Sequence, residues 1–325
     1  MERVLVTGAA GYVGREVVRR LLASGKKVTG LARNRANPEC DSIRADLADA
    51  PSLARALANR AFDSILHLAS LPGDTGDPQQ MVAVNVTGFL NLLEYARRAG
   101  AGRVVLASSI SAYGWYPGTR FDPPDFLPVR EEHPCRPKDI YSTSKRAQEL
   151  LAMTYQHQYG VPASVLRLTA VVGPRGSGGG RGWRDFAQQL AAGRRVQIPH
   201  FSAEEQCHYV DYRDVARMFL TAAEHPGAAG EIFNCAGPAP VRGAQFVEIV
   251  RALAPGIEID FGFPWSMAQG HEISFDMSKA RRLLGFEPVY SLADSIASIL
   301  AWTEGGGLAE QTQDLAYQTG VAQTT

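Results

Sequence analysis

Charge bias is missing from this chain. Across 325 residues Lys and Arg together number 33, Asp and Glu number 33, and the formal net charge is zero. No field of one sign therefore draws the protein toward nucleic acid or an anionic membrane. Cysteine is scarce too. Cys40, Cys135, Cys207 and Cys235 are widely spaced, with no CxxC pair and no His/Cys ligand pattern. No metal site is expected from them, and they read as reduced, mostly buried thiols of a cytoplasmic protein. No apolar run approaches the roughly 18 residues a membrane helix needs. There is no room for a signal sequence ahead of the first apolar run, so a soluble cytoplasmic protein is expected. Internal repeats are absent as well. What remains is ordinary globular composition, 45% hydrophobic and 20% charged, long enough to bury one large core or two lobes.

The most informative stretch that is present comes first, Met1 to Gly14, reading MERVLVTGAAGYVG. Val4-Leu5-Val6 looks like a buried parallel strand, and a helix-like segment, Tyr12 to Ala23, follows at once. Gly8, Gly11 and Gly14 span the turn between them. The first permits the tight turn, the second lets a pyrophosphate approach the backbone, and the third lets helix and strand pack closely. The helix start offers free N–H groups and a positive dipole end. This predicts a dinucleotide site.

Strand-like and helix-like runs then alternate, as parallel βαβ units require. Strands are predicted at Val4–Val6, Lys27–Leu31, Ser64–Leu68, Arg103–Ala107, Ser164–Leu168 and Glu231–Asn234. Helices are predicted at Tyr12–Ala23, Pro51–Ala58, Pro78–Ala99, Tyr141–Tyr159 and Val210–Glu224. The run Gly176–Gly180 reads as a loop or lid. The expected division is a nucleotide-binding domain over 1–170, to which 205–236 returns. A substrate lobe is formed by 171–204 and 237–310, with a tail at 311–325.

Two further patterns carry chemistry. In Tyr141-Ser-Thr-Ser-Lys145, positions i and i+4 share a helix face, so phenol and ammonium are neighbours. A free tyrosine titrates near 10, and bringing it to about 7 takes roughly 4 kcal/mol at about 1.36 kcal/mol per unit. An adjacent lysine and an oxidised nicotinamide could supply that between them. The buried strand ending in Ser108-Ser109 sets a hydroxyl at a carboxyl strand end, where open α/β sheets bind ligands. Such a serine can donate to a substrate oxygen as charge develops. His67 alone reads as a satisfied core histidine.

Together Gly8/Gly11/Gly14, Ser109 and Tyr141/Lys145 resemble the extended short-chain dehydrogenase/reductase family, the NAD-dependent epimerase/dehydratase group, over nearly the whole chain. The resemblance implies an α/β protein, a Rossmann-type doubly wound parallel sheet with a smaller mixed C-terminal lobe. It implies Tyr141 as general acid/base, Lys145 on the nicotinamide ribose, and Ser109 orienting the substrate oxygen. The cofactor would lie along Gly8, Ala10, Gly11, Tyr12, Val13 and Gly14. Asp46-Leu47 would lie beside the adenine. Leu68-Ala69-Ser70, Asn85 and Val171 would line the cofactor's path, Asn85 helping to hold the active-site geometry. Ser70, Ser109, Ser111, Trp115, Tyr141, Ala170 and Arg181 are candidate substrate contacts. The helices at Pro78–Ala99 and Tyr141–Tyr159 would pair across a two-fold axis in a homodimer.

The departures narrow the expectation. Where NAD-specific members carry an acid after strand two, this chain reads Leu31-Ala32-Arg33-Asn34. Arg33 could pair with a 2′-phosphate, which favours NADP and leaves NAD open. Nucleotide-sugar members usually place Asn where Ala170 stands and often Arg where Cys207 stands. Arg175, Arg181 or Arg213 would have to take over those diphosphate contacts. Ile110-Ser111 replaces the Asp-Glu pair of dehydratases, so dehydration is disfavoured. The leading expectation is an NAD(P)-dependent oxidoreductase acting on a secondary alcohol or ketone of a sugar, sugar acid or similar polar substrate. The alternative is a sugar epimerase, and a third reading is a silent dinucleotide sensor.

Overall fold

The computed structural model describes residues 1–73, 77–114, 124–174, 181–262 and 272–308, the side chains of 181 and 182 excepted. The strands are β1 (Arg3–Thr7), β2 (Lys27–Ala32), β3 (Asp41–Arg44), β4 (Ser64–His67), β5 (Val104–Ser109), β6 (Ala163–Leu168), β7 (Ala170–Val172), β8 (Arg195–Ile198), β9 (Gln206–Cys207), β10 (Tyr209–Asp211), β11 (Glu231–Cys235), β12 (Val241–Arg242) and β13 (Glu258–Phe261). The helices are α1 (Tyr12–Ala23), α2 (Ala50–Leu57), α3 (Pro78–Met81), α4 (Gly88–Ala99), α5 (Ile140–Tyr159), α6 (Arg181–Ala192), α7 (Tyr212–Glu224), α8 (Gly243–Leu253), α9 (Ser278–Leu284) and α10 (Leu292–Glu304).

Seven strands form one parallel sheet in the order β11-β6-β5-β4-β1-β2-β3. The chain runs outward from β1 through β3 and returns to the other side of β1 as β4. That reversal opens a crevice between the carboxyl ends of β1 and β4, the place where doubly wound sheets bind ligands. The sheet is Rossmann-type. Both faces are covered, so the central strands are buried almost throughout and successive side chains enter opposite cores. Val4 and Val6 pack with Val17, Leu21, Val215 and Phe219 on one face. Leu5 packs with Leu53, Phe89, Leu92 and Val165 on the other. A separate apolar cluster, including Phe186, Ile198, Tyr209, Phe246 and Ile299, is the core of the smaller C-terminal part.

Two local readings are corrected by the structure. The run from Val210 is not helical from its start, because Tyr209–Asp211 pairs with β7. Asp211 then caps α7 by accepting from the Arg213 N–H. The edge strand β3 escapes sequence detection because it buries Ile43 and leaves its other residues exposed. The predicted Pro78–Ala99 helix is continuous but contains a π-helical turn, Val82–Thr87, between α3 and α4. All four cysteines are free. Among the described residues no helix is long and apolar enough to cross a membrane.

Candidate active site

The glycine turn closes the β1–β4 crevice by close backbone approach. Gly8 has φ of 70°, and a Cβ there would stand 2.8 Å from the Ala69 nitrogen. A Cβ on Gly14 would stand 2.1 Å from the Gly8 carbonyl oxygen. Larger residues would push the helix off the strand. Thr7 bridges the crevice: its Oγ1 accepts from the Ala69 N–H at 3.1 Å and lies 2.8 Å from His67 Nδ1. His67 is buried and pushed down to about 3 by desolvation, with the Lys145 charge adding to the effect. It is a neutral, hydrogen-bonded core group.

Helix α1 starts with no capping side chain and no acidic residue in its first turn. By contrast α2, α5, α7 and α10 are capped by Asp49, Asp139, Asp211 and Ser291. Ala10, Gly11, Tyr12 and Val13 therefore present a helix start suited to an anionic ligand. A dinucleotide pyrophosphate fits this cradle. Sequence reasoning missed Asn37, which is 1% exposed. Its Nδ2 donates to the Ala9 carbonyl at 3.0 Å and its Oδ1 accepts from the Glu39 N–H, so it ties the segment after β2 to the glycine turn. Arg33 lies 3.7 Å from Asp46 in a half-exposed pair. Leu47 turns into the core, and its carbonyl accepts from Asn91.

Asp139 sets the start of α5, accepting from both the N–H and the hydroxyl of Ser142. Tyr141 falls in the first turn, half-buried, and Lys145 one turn later is 3% exposed. Lys145 Nζ donates to the Ala107 carbonyl on β5 at 3.0 Å and lies 5.7 Å from the centre of the Tyr141 ring. Burial pushes Lys145 down to about 7, opposed by the carboxylate of Glu149. Burial pushes the Tyr12 phenol up, and the Tyr141 phenol adds to the effect. The Tyr12 hydroxyl also donates to the Val171 carbonyl at 3.4 Å.

Ser109 ends β5, two residues beyond the carbonyl that receives Lys145. Its Oγ accepts from the Ser111 N–H at 3.1 Å and caps the short turn Ile110–Tyr113. Asn85 sits in the π-helical turn, a feature often found at functional sites. Its Oδ1 accepts from the Leu71 N–H at 2.8 Å, and its Nδ2 donates to the Leu71 carbonyl and to Ser144 Oγ. Asn85 thus joins the segment after Leu68-Ala69-Ser70 to α5, beside Lys145.

The substrate side departs further from the sequence reading. Ala170 is 5% exposed and turns into the core of the smaller lobe, as does Cys207. Arg213 is held by Asp211 at 2.8 and 2.9 Å and lies over the Tyr290 ring. Trp183 packs on Phe186, Tyr209 and Phe246. The Ser70 hydroxyl donates to the Leu71 carbonyl. Ser111 Oγ and Thr169 Oγ1 are buried without a hydrogen-bond partner, and Thr169 was not anticipated. Trp115, Arg175 and the 176–180 run lie outside the described residues, and so does the side chain of Arg181. Glu149 was missed as well, although it continues the i, i+4 row from Tyr141 and Lys145.

The sequence profile of the NAD dependent epimerase/dehydratase family matches residues 4–236. The UDP-glucose 4-epimerase of Mycolicibacterium smegmatis is 31% identical, covering 91% of this chain and 96% of its own. MoeE5, solved in complex with UDP-glucuronic acid and NAD, is 27% identical, with a TM-score of 0.77 over 94% of this chain and 99% of its own. A short-chain dehydrogenase/reductase superfamily protein of Agrobacterium tumefaciens with bound NAD is 26% identical, with a TM-score of 0.74 over 98% of this chain and 99% of its own.

Proposed function

The chain belongs to the NAD dependent epimerase/dehydratase family, and we propose that within it the protein is a sugar epimerase that oxidises and re-reduces one carbinol carbon. The observation carrying this reading is the Tyr141–Lys145 pair on α5, with a buried ammonium anchored to the strand that ends in Ser109. Similarity to UDP-glucose 4-epimerase supports an epimerase over a one-way oxidoreductase. Bound NAD would supply the hydride acceptor and donor. Tyr141 takes the hydroxyl proton and returns it, Lys145 favours the phenolate by its charge, and Ser109 donates to the substrate oxygen. Ile110-Ser111 supplies no carboxyl pair for loss of water.

A specific observation favours a second reading, an oxidoreductase of a free sugar or sugar acid. Ala170 and Cys207 bring no polar group to the positions that hold a diphosphate in nucleotide-sugar members, and Arg213 is already paired. Incubation with candidate sugars and catalytic NAD separates the two. An epimerase equilibrates stereoisomers with no net reduced cofactor, whereas an oxidoreductase accumulates it in proportion to product. Tyr141→Phe should abolish either activity while sparing NAD affinity, and full turnover in that variant refutes both.

On cofactor choice, NAD suits the family, and the reading extends to NADP through Arg33. The Arg33–Asp46 pair is half-exposed and so weakly held, leaving the guanidinium exchangeable onto a 2′-phosphate. We also read the protein as a homodimer. Val82 and Leu150, 45% and 53% exposed, give the α3–α5 face an apolar surface suited to a second copy.

A further inference from the structure

Beneath the acid/base pair lies a charged cluster that the catalytic reading does not use. Glu149 on α5 is fully buried, and both of its oxygens are occupied. Oε1 accepts from Ser108 Oγ at 2.6 Å and from Arg167 Nε at 2.9 Å, and Oε2 accepts from Arg167 Nη2 at 2.8 Å and Arg146 Nη1 at 2.9 Å. Ser108 and Arg167 are direct partners across β5 and β6. Arg167 is itself buried; its Nη1 donates to the Glu131 carbonyl, and its guanidinium lies 4.4 Å from the centre of the Tyr113 ring. Tyr113 closes the short turn that Ser109 caps, and its hydroxyl donates to Asn234 Oδ1 at 2.7 Å. A buried ion pair is a poor way to gain stability, because desolvation offsets the attraction. Its location suggests another use.

We propose that Glu149 is a positioning residue of the acid/base site: by holding Ser108 and Arg167 together it locks the helix carrying Tyr141 and Lys145 to the strand ending in Ser109, and it sets a negative charge one turn from the Lys145 ammonium. The inference rests on the Tyr141–Lys145 reading above. The charged and titratable groups around this pair are Tyr141, Arg146 and Glu149 on α5 itself, Tyr12 from α1, His67 from β4, Arg167 from β6 and Cys135 from the segment ahead of α5. Burial makes His67 neutral. Although burial opposes its charge, hydrogen bonds from Arg167, Ser108 and Arg146 hold Glu149 below the ordinary carboxylate range. Glu149 thus remains anionic at neutral pH and supports the charge on Lys145.

The test is NAD affinity, followed by protein fluorescence from pH 5.5 to 9 (a range of about 3.5 units, chosen to span ordinary Lys and His shifts). In the unaltered protein, affinity should fall as the pH rises through the Lys145 titration. In Glu149→Gln that fall should begin about 1 unit lower, the usual effect of removing one adjacent opposite charge. Glu149→Gln/Arg167→Met removes both buried charges and guards against an unfolded single variant; because a cation is lost with the carboxylate, its displacement should be downward but smaller than in Glu149→Gln. A midpoint unmoved in both variants, with affinity merely weaker at every pH, overturns the proposal and leaves Glu149 as a packing residue. Lys145→Met separates the two levels of argument. If the inflection survives in that variant, the titrating group is not Lys145, and the acid/base reading falls together with the inference built on it.

Discussion

Replacing Lys145 with methionine should stabilise the protein at neutral pH while destroying turnover, and the gain should shrink as the pH rises. Lys145 is 3% exposed, and burial lowers it from 10.5 to about 7. A base whose folded value is depressed binds fewer protons folded than unfolded between those two values. Stability therefore rises with pH across that window, and the cost of burying the ammonium is present below about 7 and relieved toward 10.5. With those two values, the linkage relation gives a cost of roughly 4 kcal/mol at pH 7 and roughly 2 kcal/mol at pH 9. Methionine fills similar space but leaves the Ala107 carbonyl without its donor, at about 1–3 kcal/mol. That loss does not depend on pH. The stability of Lys145→Met minus that of the unaltered protein should therefore fall by roughly 2 kcal/mol between pH 7 and 9. Urea denaturation of both proteins at each pH measures the difference, and groups common to both cancel. A difference that stays constant with pH would refute the assignment of a buried, strongly depressed Lys145.

Other outcomes follow from the same geometry. Gly14→Ala places a methyl against the Gly8 carbonyl, 2.1 Å away; calorimetry should show NAD affinity reduced by more than tenfold, about 1.4 kcal/mol, and unchanged binding would remove the glycine turn from the site. Arg33→Ala should weaken NADP by a larger factor than NAD in parallel titrations, and equal losses would discard the 2′-phosphate argument. Leu150→Arg puts a charge on the exposed α5 face and should shift the sedimentation mass from dimer to monomer; a monomer already present in the unaltered protein would contradict the assembly.

Much of the site was legible because its signals are local. The β1–glycine–α1 unit shows itself through a short apolar strand, glycine spacing and helical periodicity. Tyr141 and Lys145 are recognisable as neighbours because helix geometry alone fixes i and i+4. Other parts were hidden. Asn37 reaches 28 residues back to Ala9, and nothing in its neighbours announces that contact. Asn85 matched a family pattern, but the π-helical turn that aims it at both Leu71 and Ser144 has no clear local signature. The segment at Val210 had helical composition, yet its first residues found a strand partner in β7. Ala170 was recognisable as a departure from the nucleotide-sugar pattern, but not as part of a lobe core.

By itself the order of residues determined the βαβ alternation, a phosphate-binding turn and a phenol beside an ammonium, since each depends on contacts within a few residues. The tertiary structure alone decided which strand ends adjoin, and hence that Lys145 reaches Ala107, that Glu149 meets Arg167 across β5 and β6, and that Arg213 is already paired. Those outcomes depend on the strand order and on desolvation. Both are properties of the packed sheet, in which residues far apart in sequence share one dry space.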